Sequence, residues 1–94
     1  MSSRNAYLRK TYGITEKQYN TILKLQGGGC YVCGRRSKPG HRKLHVDHSH
    51  RSGKVRGVLC WTHNAGLRKF ADNPQWLMRA ADYLLHPPAD EVLG

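Results

Sequence analysis

Two short spacings in this sequence bring together side chains that bind soft metal ions. Cys30 and Cys33 form a C-x-x-C, and Cys60 and His63 form a C-x-x-H after a longer interval. Zinc takes four tetrahedral sulfur or nitrogen ligands, and a C-x-x-C in a tight turn presents two thiolates on one side of the chain. Two such halves complete one tetrahedron, provided the segment between them leaves and returns. A redox C-x-x-C would open a helix in a thioredoxin-like βαβ unit, and no such pattern surrounds Cys30. A free, buried Cys60 is the plainer alternative. The chain has three cysteines, which cannot all pair with one another, so metal is favoured over disulfides. His63 is the ligand with competitors. His41 and His45 could each take the fourth place, although a basic loop and a strand edge more commonly hold solvated histidines.

The stretch LHVDHSHRSGKVRGVLCWTHN, from Leu44 to Asn64, also holds residues of a different chemical kind. With Cys60 and His63 set aside for zinc, it leaves Asp47, His48, His50 and Asn64. A hard divalent ion such as magnesium prefers carboxylate and amide oxygens and keeps several of its waters. Asp47 and Asn64 can offer two such oxygens. Imidazole titrates near neutrality, so a neutral fraction can take a proton from water, a task open to His48. Lys54 and Arg56 could clamp a phosphate beside these groups, or simply form a solvated strand face.

Several elements must position these side chains. Thr15-Glu16-Lys17-Gln18 matches a helix capping box, and Tyr19, Ile22 and Leu23 then recur at helical spacing. Three glycines after Gln26 stop that helix. Cys30 to Gly34 reads as a tight knuckle, and residues 35–42 as a basic loop broken at Pro39-Gly40. Lys43 to Asp47 alternates like a half-buried strand, Val55 to Leu59 is its partner, and Ser52-Gly53 supplies the turn between them. A short helix follows from Cys60, with Leu67 and Phe70 on one face. In it His63 and Asn64 project about 100° apart, so one can face zinc while the other faces solvent and substrate. Asp72-Asn73-Pro74 starts a last helix, from Pro74 to Leu85, with Trp76, Leu77, Ala80, Ala81 and Leu84 as its buried face. His86-Pro87-Pro88 ends it. The expected architecture is one α+β domain over residues 1–94, with a core spanning about 12–85 and loose ends.

Sixteen Lys and Arg against six acids give the chain a formal net charge of +10, more than solubility requires of so small a domain. A polyanionic partner is the natural reading, met by a folded basic face because the cations are spread in pairs along the chain. A chain of 94 residues buries little apolar surface, which makes a metal staple useful. No apolar run approaches a membrane span and MSSRNAYLRKTYG lacks the apolar segment of a secretion signal, so a cytoplasmic location is expected.

In order, Tyr12-Gly13-Ile14-Thr15, the Gly-Gly-Cys-x-x-Cys-Gly at 28–34, the Val-Asp-His-x-His at 46–50, the Gly-Lys-Val-Arg-Gly-Val-Leu-Cys at 53–60 and Asn64 resemble the HNH, or His-Me finger, endonucleases. Among these the likeness is to the phage recombination endonuclease VII group, and it covers more than half the chain. The resemblance implies a zinc-stapled ββα-metal domain with flanking helices. It further implies that Asp47 and Asn64 hold catalytic magnesium or manganese, that His48 is the general base and that His50 assists at the phosphate. One position departs from the pattern: the last zinc ligand, a cysteine in the group, is His63. The activity implied is metal-assisted hydrolysis of DNA phosphodiesters, nicking duplex or branched DNA with low sequence specificity in the host cytoplasm. The stretch after Leu85 is short and polar for a large dimer interface, so a monomer or weak homodimer is expected. The rival readings are a non-catalytic zinc module that binds nucleic acid, and a nuclease subunit of a phage packaging or recombination complex.

Overall fold

The computed structural model describes residues 3–94. Its elements run α1 (Ser3–Tyr12), α2 (Glu16–Leu25), β1 (His45–His48), β2 (Val55–Leu59), α3 (Trp61–Lys69), α4 (Pro74–Leu85) and a single turn, α5 (Asp90–Leu93). Together they make a small α+β chain. Backbone contacts gather into two compact units, one ending at Asn64 and one beginning at Ala65. No helix among the described residues is long and apolar enough to cross a membrane.

In the first unit α2 starts as its sequence dictates. Thr15 Oγ1 accepts the Gln18 N–H at 3.0 Å, and Gln18 Oε1 accepts the Thr15 N–H at 2.8 Å. Ahead of it, in the stretch expected to be a loose end, the chain forms α1; Met1 and Ser2, to which that expectation also applies, lie outside the described residues. Only Leu8 of α1 is buried, so no apolar stripe announces this helix in the sequence. Its polar side chains tie it to α2 instead. Asn5 Oδ1 accepts the Glu16 N–H at 2.8 Å, and the Arg4 guanidinium lies over the Tyr19 ring, 4.5 Å from its centroid. Tyr19 is buried and donates its hydroxyl to the Leu44 carbonyl at 2.8 Å, fastening α2 to the approach of β1.

β1 and β2 form an antiparallel hairpin with His45 opposite Leu59, Val46 opposite Val58, Asp47 opposite Gly57 and His48 opposite Val55. The first strand begins at His45 rather than Lys43. β2 ends at Leu59, opposite His45, and the Leu44 carbonyl before it is already taken by Tyr19. Between Asp47 and His48 the register slips, which leaves Arg56 as the extra residue of a bulge. Val46, Val58 and Leu59 join Leu8, Tyr19, Leu44, Cys30 and Cys60 in the buried core.

Gln26, the C-cap of α2, locks the helix to the hairpin. Its Nε2 donates to the carbonyls of Val58 (2.8 Å) and Gly29 (3.0 Å), and its Oε1 accepts the Val58 N–H at 2.8 Å. A Cβ at position 57 would stand 2.8 Å from Gln26 Oε1, so glycine there is what lets this amide approach.

In the second unit, α3 closes through Ala71 and Asp72, both left-handed with φ of 52° and 55°, and the Asp72 N–H reaches back to the Leu67 carbonyl at 2.9 Å. Asn73 Oδ1 then caps α4 by accepting the Gln75 and Trp76 N–H groups, ahead of Pro74 at the first helical position. The bounds of α4 agree with the sequence; its buried face does not. None of its residues is buried: Trp76 is 55% and Leu84 76% exposed, Ala81 is exposed, and only Leu77 and Ala80 are half-buried. Helical periodicity reports an apolar stripe, not the presence of something to cover it. The tail expected to be loose carries the turn α5.

Candidate functional site

The Cys30–Gly34 knuckle is shaped by its own backbone. The Gly34 N–H donates to the Cys30 carbonyl and the Cys30 N–H to the Arg35 carbonyl, both at 2.8 Å, while the Arg35 N–H points at Cys33 Sγ, 3.5 Å away. A side chain at Gly29 would collide with the Gly34 carbonyl, so the turn can close this tightly only on glycine. Leu59 ends β2 next to it, and α3 starts at once, bringing Cys60 and His63 back to the knuckle. The ligand atoms of Cys30, Cys33, Cys60 and His63 all lie within 4.8 Å of one another. Cys33 Sγ and Cys60 Sγ are 3.9 Å apart, and Cys60 Sγ is 3.1 Å from His63 Nδ1. Zinc–sulfur bonds of about 2.3 Å at tetrahedral angles require sulfur separations of about 3.8 Å, so the cluster can hold a metal ion and suits structural zinc.

All three cysteines are free thiols. Burial pushes the Cys30 thiol up, but backbone hydrogen bonding from Cys60, Cys33 and Val32 overcomes it and brings the pKa down to about 6. Cys60 shifts the other way, raised by burial and by the neighbouring Cys30 and Cys33 sulfurs. One sulfur is thus prepared as a thiolate while its neighbour resists a second negative charge, an imbalance that a divalent cation resolves. Of the two competitors for the fourth place, His41 sits in the exposed basic loop and His45 on β1, and neither joins the cluster. His45 Nε2 is buried and has no hydrogen-bond partner among the described residues.

Toward the turn of the hairpin, Asp47 is buried and its two carboxylate oxygens are both engaged. Arg56 Nε donates to Oδ2 at 2.8 Å and Arg56 Nη2 to Oδ1 at 3.0 Å. The bulge, with Gly57 opposite Asp47 and no side chain in the way, lets Arg56 reach across. Arg56, which the sequence offers as a phosphate clamp or as part of a solvated strand face, pairs with the acid beside it and keeps 38% of its side chain exposed. His48 is half-buried between two rings, with Tyr12 at 5.6 Å and His50 at 5.0 Å between centroids. Tyr7 meets Tyr12 edge-on at 6.2 Å, completing a ladder from α1 to the turn. Burial and the contact with Tyr7 hold the Tyr12 hydroxyl above the usual phenol range, so it stays protonated at neutral pH. His50 and Lys54 are exposed around the turn, where the Ser49 N–H donates to the Lys54 carbonyl at 2.9 Å. Asn64 is half-buried on α3, directly after His63.

Two contacts of the candidate residues escaped the sequence reading. Tyr12 stood in the Tyr-Gly-Ile-Thr motif without a role, and its place against His48 depends on a helix the sequence did not announce. The Asp47–Arg56 pair depends on the bulge; the opposite charges nine residues apart across a hairpin were its only signal.

The family model for recombination endonuclease VII matches residues 5–86. The Gene 59 protein of Mycobacterium phage D29 is 46% identical over 85 residues, which is 89% of this chain and 51% of that protein. The Gene 59 protein of Mycobacterium phage L5 is 45% identical over 85 residues, with the same coverage of 89% and 51%. The chain therefore spans about half the length of these curated relatives. No solved structure matches it significantly. A match running from α1 to the end of α4, through both the thiol cluster and the Asp47–His48 strand, places the chain in the recombination endonuclease VII family.

Proposed function

We propose that this chain is a metal-dependent DNA endonuclease that hydrolyses phosphodiester bonds, nicking duplex or branched DNA with little sequence preference. The observation that carries the reading is the adjacency of buried Asp47 and ring-packed His48 on a hairpin closed at its other end by the Cys/His cluster, in a chain of this family. The hairpin with α3 reads as an HNH-type, ββα-metal unit. Structural zinc on Cys30, Cys33, Cys60 and His63 anchors the start of α3, and with it Asn64.

Asp47 and Asn64 are the residues to hold a catalytic magnesium or manganese. The fit is one of donor chemistry: hard carboxylate and amide oxygens, with a carboxylate that already accepts positive charge at both oxygens. When bound, the ion supplies charge stabilisation at phosphorus and at the leaving 3′-oxygen. His48 takes the proton from a water as its oxygen bonds to phosphorus and the bond to the 3′-oxygen breaks. The rings of Tyr12 and His50 both pack near the imidazole, and His50 is exposed enough to meet the phosphate as well. Lys54 and the remaining cations supply sequence-independent phosphate contacts.

The test is incubation of purified protein with supercoiled plasmid, with and without magnesium. Nicked circles that need magnesium and vanish with His48→Ala support the reading; plasmid that stays intact, or is cut equally by His48→Ala, rejects it. One observation favours a second reading. Arg56 satisfies Asp47 without a metal, as a non-catalytic zinc module binding nucleic acid would require. Salt-sensitive DNA binding with no nicking is the signature of that alternative. As parts of the same proposal, the chain acts as a monomer or weak dimer, alone or beside phage recombination or packaging proteins.

A further inference from the structure

A second candidate surface lies in the first unit, where β1 begins at His45, and neither Asp47 nor His48 lines it. The loop after the knuckle, the start of β1 at His45, Cys60 and the first residue of α3 border an open hollow of about 530 Å³. That is within the range of roughly 300–1,000 Å³ that small-molecule sites occupy, and ample for one nucleotide. Arg35, Arg36, Lys38, Arg42 and Lys43 line it together with Trp61, and no carboxylate does. Arg36 is fixed in the wall by donating to the Gly27 carbonyl at 2.8 Å.

Trp61 is the informative member. It is 65% exposed although its neighbour Cys60, a member of the thiol cluster, is 3% exposed. The indole therefore stands in water next to a buried residue, at the rim of a cationic hollow. Cations alone would describe any polyanion site; an exposed indole among them selects a ligand that also has a flat aromatic face. In a duplex both faces of each base are covered by stacking, whereas an unpaired base offers one to the protein. We propose that this hollow is a subsite for an unpaired DNA nucleotide, with Trp61 as the stacking platform and the loop cations as phosphate contacts. The proposal rests on the reading of DNA as substrate and adds to it a place for one unpaired base.

The chain has two tryptophans, so Trp76→Phe leaves Trp61 as the only indole reporter. Its emission is followed while the protein is titrated, without added magnesium, with short oligothymidylate and with a duplex of equal length. The expected result is quenching by the single strand. Trp61→Ala should weaken single-strand binding by about 5- to 150-fold, the range for loss of one base stack, with duplex binding changed less than about 2-fold, and Trp61→Phe should retain most of the affinity. Because Trp61 adjoins Cys60, zinc content and the melting curve of each variant establish that the fold persists. If Trp61→Ala unfolds, Trp61→Phe and quenching of the parent decide. Absent quenching, equal weakening of single strand and duplex, or tighter binding of oligouridylate than of oligothymidylate would each overturn the proposal. Plasmid cleavage without quenching sinks this subsite alone; quenching without cleavage sinks the endonuclease reading and leaves the subsite standing.

Discussion

The two ends of the β1–β2 hairpin handle buried polar groups in opposite ways. At the knuckle end, three thiols and an imidazole crowd within 4.8 Å, with no cationic side chain among them. At the bulge end, buried Asp47 has both oxygens filled by Arg56 from the same hairpin. The first cluster is electrostatically incomplete without a cation; the second is complete as it stands. A metal at the first site therefore acts as part of the fold, and a metal at the second must compete with a side chain. Under the proposed function, structure and chemistry are divided between soft and hard donors on one short piece of sheet.

The largest expected effect tests the knuckle end. Stripping zinc, or replacing Cys60 with Ser, should abolish cooperative melting, since structural zinc contributes about 10–16 kcal/mol of apparent binding energy in small domains. Circular dichroism melting with elemental analysis checks it, one zinc per folded chain being expected. Normal melting after thorough chelation would break the comparison. Next, His48→Ala should slow plasmid nicking by about 10²–10⁴-fold, the usual contribution of a general base, and leave the melting curve close to the parent's. A variant that lost its fold along with its activity would place His48 in the structural half of the comparison.

Arg56→Ala sharpens the contrast from the other side. Removing the partner of a buried carboxylate is costly, but Arg56 is 38% exposed, which limits the loss to about 1–2 kcal/mol in denaturant unfolding. Freeing Asp47 should also tighten manganese binding to the DNA-free protein several-fold, readable by electron paramagnetic resonance. Unchanged manganese affinity would separate Asp47 from the metal. The smallest effect calibrates the others: Thr15→Ala removes a cap remote from both ends and should cost about 1 kcal/mol, with zinc content and nicking per folded molecule unaltered.

Much of this division could be read from residue order. The capping box at Thr15, the C-x-x-C and C-x-x-H halves, the hairpin and the bounds of α4 are local, so a short window of sequence contains their cause. What escaped depends on contacts remote in sequence. α1 buries one residue and is held through Asn5 and Arg4, which have no periodic signature. The one-residue bulge that joins Arg56 to Asp47 turns on register, which alternation alone leaves unspecified. For α4 the failure ran the other way, since a strong apolar stripe was read as a covered one.

The Gln26 lock has a consequence for how copies of this chain meet. A two-stranded sheet has two outer edges, each a row of backbone groups that can template pairing with a neighbouring molecule. On the outer side of β2, the Val58 N–H and carbonyl are consumed by the Gln26 amide, and the carbonyl also receives the Tyr31 N–H at 3.3 Å. One side chain thus stands in for the strand that would otherwise be recruited from another copy, and helps keep a thin, two-stranded sheet from growing between molecules.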